Sequence, residues 1–430
     1  MNINGGDTVF VLLSSALVLM MTPGLAFFYA GMVRQKNVVN TIMLCFAAMG
    51  VVSLQWLVLG YSLSFGPGVV FAPGWLGSWA WAGLAHVGLE PNAAYAATIP
   101  HLAFMIFQAM FAIITPALIS GAIVERIRFT SFLAFILIWA TVVYDTVAHW
   151  VWAADGWLHA LGALDFAGGT VVHITAGTAG LVAALMLGRR DGHGHVEHPP
   201  HNAPLVLMGA ALLWVGWFGF NAGSALAANG VATLAFVTTH MAAATGLLTW
   251  IAIEYRAKGH VSVTGAVSGM VAGLVGITPA AGYVTPLASV AIGFAAAALC
   301  QVATSYKART SLDDTLDTFA LHGVGGIVGA LLTGVFASKA ANPGGADGLL
   351  YGNPHQLLTQ GVAVGATVAF TAIATWGILK ALGLVMALRV DRDVEAAGLD
   401  EHLHGAPGYL FNPTERRAGG GRPQVVSSPD

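Results

Sequence analysis

Two histidines stand at depths where only function or a satisfied core partner would hold them. His173 lies inside the apolar stretch Gly162–Leu185, GALDFAGGTVVHITAGTAGLVAAL, eight residues after Asp165. At helical rise that interval places the imidazole about 12 Å below the acid. His322 lies inside a similar stretch, Asp317–Leu332, DTFALHGVGGIVGALL, again an acid, a histidine, then glycines and small apolar residues. An ionisable side chain buried in hydrocarbon marks a functional site by default. The plainer reading is that Asp165 caps a helix N-terminus, where a carboxylate is favoured, and that each histidine ties two helices together. As a cap with charge, Asp165 is expected to tolerate Asn for capping and to lose only its negative potential. Neutral imidazole has one donor and one acceptor nitrogen, so two of them sharing a hydrogen bond would leave polar edges along a dry path.

A second set of residues could recognise a small cation. The run around residue 107 offers Phe107, Gln108 and Phe111, of which the two phenylalanines share a helix face. AHWVWAADGW supplies Trp150, Trp152 and Trp157, and WFGFNAGS supplies Trp217, Phe220, Asn221 and Ser224. Aromatics near a membrane interface often serve only as anchors, which suffices for Trp150 and Trp157. Aromatic faces beside a hydroxyl do more, since the faces attract a cation and the hydroxyl accepts its hydrogen bond.

The elements that must position these residues are membrane helices. The 430 residues are 57% hydrophobic and 9% charged, far from the balance of a soluble domain. Eleven apolar runs can be read: 8–31, 38–62, 99–124, 129–150, 168–188, 203–225, 231–254, 261–278, 284–306, 315–336 and 357–388. Of the 17 Lys and Arg, 15 fall on one set of alternate loops, from Arg34 and Lys36 to Arg422. Only Lys339 lies on the other, with Lys380 in the last run. The positive-inside rule then predicts an all-α polytopic membrane protein with its N-terminus outside and its C-terminus cytoplasmic. Runs 1–5 and 6–10, about residues 8–188 and 203–336, would be inverted repeats, because five spans is an odd number. His173 would descend from the outer face and His322 rise from the inner one, meeting near the midplane. Residues 1–392 form the spanning domain in this reading, and 393–430 a cytoplasmic tail whose distal part, rich in Gly and polar residues, is expected to be disordered. Cys45 and Cys300 lie in separate runs and imply no disulfide, and no cleavable signal peptide is expected. The hinge GRRDGHGHVEHPPHN holds His193, His195, His198 and His201 without ordered metal-ligand spacing and reads as a solvated loop.

The chain resembles the ammonium transporter (Amt/Mep) family, bacterial Amt type, from about Thr8 to Arg392. The resemblance rests on FYAGMVRQKN (28–37), GAIVERIRF (121–129), GALDFAGGTVVHI (162–174), GWFGFNAGS (216–224), GLVGITPAAGY (273–283) and LHGVGGIVG (321–329). It implies a homotrimer with one path per subunit and an outer ammonium site formed by Phe111, Trp152 and Ser224, supported by Asp165. Phe111 and Phe220 would stack as a gate, with His173 and His322 as paired pore histidines. It further implies ammonium or methylammonium as substrate, residence in the inner cell membrane, and a PII-type signalling protein at the cytoplasmic face. Three features depart from the pattern. The loop between Trp152 and Asp165 is about one residue longer than usual, His240 has no family role, and in the tail motif GLDEHLHGAPGY (398–409) Ala406 stands where an acid is usual. No cofactor, metal, nucleic acid or enzymatic activity is expected. The rivals are a Rhesus-type gas channel, against which Trp152 and Ser224 argue, and an ammonium sensor, which would need an appended signalling domain.

Overall fold

Asn4, Asn202, Asn229, Ser262 and Thr285 each cap an apolar helix, their side chains accepting backbone N–H groups of the first turn. The structure, a computed structural model, describes residues 2–69, 73–195 and 199–409. We number the long helices α1 (Gly5–Met32), α2 (Gln35–Phe65) and α3 (His101–Ile123). Helix α4 runs through Phe129–Trp139, a π turn at Ala140–Tyr144, and Asp145–Trp152. Then come α5 (Gly169–Leu187), α6 (Ala203–Gly223), α7 (Gly230–Lys258), α8 (Val263–Ile277), α9 (Pro286–Lys307), α10 (Phe319–Phe336) and α11 (Pro354–Val385). Among the described residues, ten of these are long and apolar enough to cross a membrane, and α8, a shorter apolar helix of 10–17 residues, is the other. There are isolated β-bridges but no strand among the described residues.

Small residues set the packing. Helices α1 and α6 lie antiparallel and touch along their length: Gly24 faces Leu212, Gly31 faces Val206, and Gly219 faces Leu17. A methyl group at Gly31 would come within 2.7 Å of the Val206 backbone nitrogen. The closest crossing joins α5 to α10, where Gly177 lies against the backbone of Gly323 with no room for a side chain. Without a hydrophobic drive between helices in lipid, such backbone approaches carry the association. Both helices at this crossing open as π turns, Gly169–Ile174 and Phe319–Val324, and each π turn carries one of the two histidines. Such turns often sit at functional sites.

This geometry corrects two sequence expectations. Helix α5 begins at Gly169 and not at Asp165, because Gly168 takes φ 110 and turns the chain, so the straight helical descent from acid to imidazole does not exist. In the second stretch the acid equivalent to Asp165 is Asp314, whose carboxylate accepts the N–H groups of Thr318 at 3.0 Å and Phe319 at 2.7 Å. Asp317 instead pairs with Lys307 at 2.6 Å.

One end of the bundle carries the basic loops, and a buried ion network ties them. Glu125 takes φ 70 so that its carboxylate turns inward, where Oε1 accepts from Arg34 Nε and Asn37 Nδ2, each at 2.9 Å. Its Oε2 accepts from Arg190 Nη1 at 2.6 Å, and Arg190 also forks onto Asp313. The segment from 393 to 409 is not a free tail: it packs on this end through a short helix, Leu399–His404. Leu399 N–H donates to Asn37 Oδ1, Asp400 accepts from Asn40 N–H, and His404 bonds Asn40. Lys36 Nζ donates to the Ala396 carbonyl. Residues 410–430, whose distal part (415–430) is expected to be disordered, lie outside the described residues.

The histidine-rich hinge is also more tied down than a solvated loop. His193 sits 3.3 Å from the Asp313 carboxylate, and His201 bridges the Val33 carbonyl and the Tyr409 hydroxyl. His198 lies outside the described residues, and among those described no group of three or more His, Cys, Asp or Glu could hold a metal. Cys45 and Cys300 are both free and buried.

Candidate functional site

The end opposite the basic loops opens into a cavity of about 510 Å³ lined by Gln108, Phe111, Trp152, Asp165 and Ser224, among others. Helix α3 presents Phe111, α4 ends on Trp152, and Ser224 caps the C-terminus of α6. The Phe111 and Trp152 rings meet edge to face, with centroids 5.8 Å apart. Ser224 Oγ donates to the Phe220 carbonyl at 2.9 Å, so its lone pairs remain to accept from a ligand. Gln108 adds a buried Oε1 without a hydrogen-bond partner. Phe107 is buried and packs on Phe111 at 5.0 Å without joining the lining. Trp150 and Trp157 stay out of the site and pack with Trp75.

Asp165 supports this cavity from behind. Its Oδ1 accepts from Gly168 and Gly169 N–H at 2.9 and 2.7 Å, and its Oδ2 from Thr170 and Val171 N–H at 2.8 and 3.0 Å. The Asp165 carbonyl accepts Trp152 Nε1–H at 2.9 Å, which fixes the indole. Burial raises the carboxyl above its usual range, opposed by those four N–H groups. Asn would therefore not keep the cap intact, because its amide nitrogen cannot accept, and two of the four donors would lose their partner.

Beneath the cavity, Phe111 and Phe220 close the way with centroids 4.4 Å apart and planes tilted by 46°, not stacked flat. Under Phe220 lies a narrow space with about 10 Å³ of room, close to the minimum for one water-sized molecule. Its walls are apolar except for His173 and His322. The two rings meet Nδ1 to Nδ1 at 3.3 Å, and both residues are buried. A contact between those atoms needs one donor and one acceptor, so the pair shares one proton there. His173 packs near-parallel to both Trp217 and Phe220, with centroids 5.5 and 5.9 Å away, and its Nε2 has no hydrogen-bond partner. Phe28 lines this space and also a cavity of about 650 Å³ at the basic end, which Gln301, Thr304 and Asp317 help to line. Cavity, aromatic pair, histidine pair and second cavity thus follow one another through the bundle.

Asp314 is the supporting residue that the sequence reading passed over. It stands eight residues before His322, the same interval that separates Asp165 from His173, and it caps the second π turn as Asp165 caps the first. Burial pushes its carboxyl up to about 6, with Lys307 opposing. His240 joins no site: it is exposed and lies beside Trp214.

Comparison with known proteins points to one family. The family model described as Ammonium Transporter Family matches residues 9–409. An ammonium transporter of Bacillus subtilis is 49% identical over 406 residues, which cover 94% of this chain and 98% of that protein. The ammonium transporter of Mycobacterium bovis is 45% identical, with 95% and 91% covered. Among solved structures, Saccharomyces cerevisiae Mep2 superposes with a TM-score of 0.86 at 35% identity, covering 91% of this chain and 90% of that one. A structure described as a Sensor Amt Protein superposes with a TM-score of 0.85 at 29% identity, covering 93% and 98%. This multi-pass membrane chain belongs to the ammonium transporter family.

Proposed function

We propose that the protein draws ammonium from outside into the Phe111, Trp152 and Ser224 cavity, removes a proton there, and conducts ammonia past His173 and His322. The observation that carries this reading is the histidine pair in an apolar space fit for one small molecule, directly under an aromatic closure. Moving a bare cation through such a space costs on the order of tens of kcal/mol in the idealised limit. Ammonium escapes that cost by leaving a proton behind, whereas potassium has none to lose. Ser224 and Gln108 supply acceptors for ammonium, the Phe111 and Trp152 faces attract its charge, and Asp165 holds Trp152 and the α5 start in place. Ser224→Ala removes an acceptor used in recruitment, so the half-saturation for methylammonium should rise about tenfold while the maximal rate holds. An unchanged half-saturation in a folded variant would remove Ser224 from the site.

The remaining assignments follow from the same reading. The basic end faces the cytoplasm of a cell whose inner membrane holds the protein, α8 crosses as an eleventh span with help from the turn after it, and α1–α5 and α6–α10 are inverted repeats. Residues 1–392 span and 393–430 form the cytoplasmic tail. The subunit assembles as a homotrimer, and its arginine-rich inner loops suit an acidic PII-type partner. The Rhesus-type and sensor readings are not favoured, because Trp152 and Ser224 are present and the relatives at 45–49% identity are transporters.

A further inference from the structure

A buried acid stands outside the path just described. Asp145, in the outer half of α4, is fully buried, yet among the described residues it has no ion-pair partner. Its Oδ2 lies 2.6 Å from Gln55 Nε2 of α2, and its Oδ1 accepts Ser64 Oγ at 3.3 Å. Both helices leave α geometry beside this contact, α2 at Trp56–Gly60 and α4 at Ala140–Tyr144. Three buried polar atoms around it have no hydrogen-bond partner: Gln55 Oε1, Tyr144 OH and His149 Nε2. A bare carboxylate is expensive in such surroundings. The acid form has a proton to donate, and Gln55, turned end for end, would present the unused Oε1 to it across an ordinary O–H···O distance.

A route leads from this acid to the outer surface. His149 lies one helical turn above Asp145 on the same face. Its Nδ1 bonds the Ser64 carbonyl at 3.1 Å, while Nε2 faces Asp155 Oδ1 at 3.7 Å, and the Asp155 side chain is 46% exposed. Ser64 therefore touches both groups, Asp145 through its hydroxyl and His149 through its carbonyl.

We propose that Asp145 is a proton-binding site that exchanges with the outer solution through Asp155, His149 and Ser64. In the step inward, a solvent proton binds His149 Nε2. His149 Nδ1–H, which rests on the Ser64 carbonyl, must then swing to the hydroxyl of the same residue; it passes its proton to Oγ as the Ser64 hydroxyl proton moves to Asp145 Oδ1. The serine is regenerated, the imidazole ends neutral with its proton on Nε2, and the carboxylate ends as the neutral acid. The other groups facing Asp145 do not replace this route. Helix α2 brings Tyr61 beyond Gln55 and Ser64, and α4 brings Tyr144. Helices α3 and α5 carry only His101 and His173 as titratable groups, α11 only His355 and Lys380, and Asp165 lies beyond Tyr144. Trp152 is three residues from both His149 and Asp155, so the charge at this pair bears on the indole that Asp165 holds. Ammonium half-saturation should therefore follow outer pH.

The test uses the full-length protein in liposomes, with infrared difference spectroscopy and methylammonium uptake read across an outer pH step from mildly acid to mildly alkaline at fixed inner pH. The wild type should show a carboxylic-acid carbonyl band that weakens on the step and is missing in Asp145→Asn. Its half-saturation should change about fivefold, the low end of a coupling between two sites, and that response should flatten in Asp145→Asn, which mimics the acid form. His149→Gln should slow the band's response, which decides the matter if Asp145→Asn fails to fold. A band that is absent, that ignores outer pH, or that follows inner pH only would overturn the proposal, as would an Asp145→Asn uptake profile superimposing on the wild type. The uptake arm rests on Trp152 forming the ammonium site and the infrared arm does not, so failure of that site reading is separable from failure of this one.

Discussion

His173 and His322 share one hydrogen bond through their Nδ1 atoms, so replacing either leaves the other with an unpaired polar edge in an apolar space. His173→Leu or His322→Leu should keep the protein folded and change uptake rate at least tenfold, about 1.4 kcal/mol of barrier, or admit potassium. A loss of thermal stability with unaltered rate would make the pair a helix tie. Asp165 makes a sharper case, because its two oxygens hold four N–H donors. Asp165→Asn should lower thermal stability by about 3–6 kcal/mol, the loss of two charge-assisted bonds, and loosen Trp152 as well. Normal melting with normal uptake would show the capping geometry to be dispensable. Glu125 sets a pH dependence at the other end of the bundle. Burial raises its carboxyl, but Arg190, Arg34 and Asn37 outweigh burial and hold it at about 2. Its folded value thus lies below the unfolded one, near 4.5. The stabilisation is full above the unfolded value and is lost as pH falls from there through about 2, on the order of 3 kcal/mol in all. Melting curves across that range should fall for the wild type and stay flatter for Glu125→Gln, which starts lower because Arg34 loses its carboxylate and Arg190 keeps only Asp313.

At the scale of elements, Gly177 and Gly323 decide how closely α5 and α10 cross. Gly177→Ala puts a methyl group into the Gly323 backbone, so the helices must part, and melting should drop by about 1–3 kcal/mol. Since each helix carries one histidine, the same change should also reduce uptake, whereas an unshifted melting curve would mean the crossing has slack. The helices themselves were legible in the sequence. Apolar runs such as 203–225 and 99–124 became Ala203–Gly223 and His101–Ile123, because lipid leaves a chain of that composition little choice. The two histidines stood out through residue type and spacing, whereas singling out Phe111, Trp152, Phe220 and Ser224 among many aromatics and hydroxyls took the family resemblance. The π turns were not legible, because they follow from where one helix must aim a side chain past another, and composition does not encode that. Asp314 was hidden by Asp317, which is nearer to His322 and begins the run that looks like a repeat. The equal interval of eight residues was the available signal. Asp145 escaped notice because a lone acid in an apolar run declares its importance only when its neighbours are known.

At the scale of the whole molecule, the two cavities are kept apart by Phe111 with Phe220 above the histidines and by Phe28 beneath them. Nothing charged lines the space between, which is the ground for proposing that the permeant is small and neutral there. Residues 393–409 and the basic loops are tied together at one end through Asn37, Glu125 and Arg190, which links the docked segment to the loop preceding α10. The most direct test of the central claim is methylammonium uptake into liposomes holding the purified protein, measured with and without a large excess of external potassium, while potassium entry is followed in the same vesicles. Neutral passage predicts that methylammonium enters at an undiminished rate and that potassium entry stays at the level of protein-free vesicles. Potassium entering through the protein, or competing with methylammonium on equal terms, would contradict it.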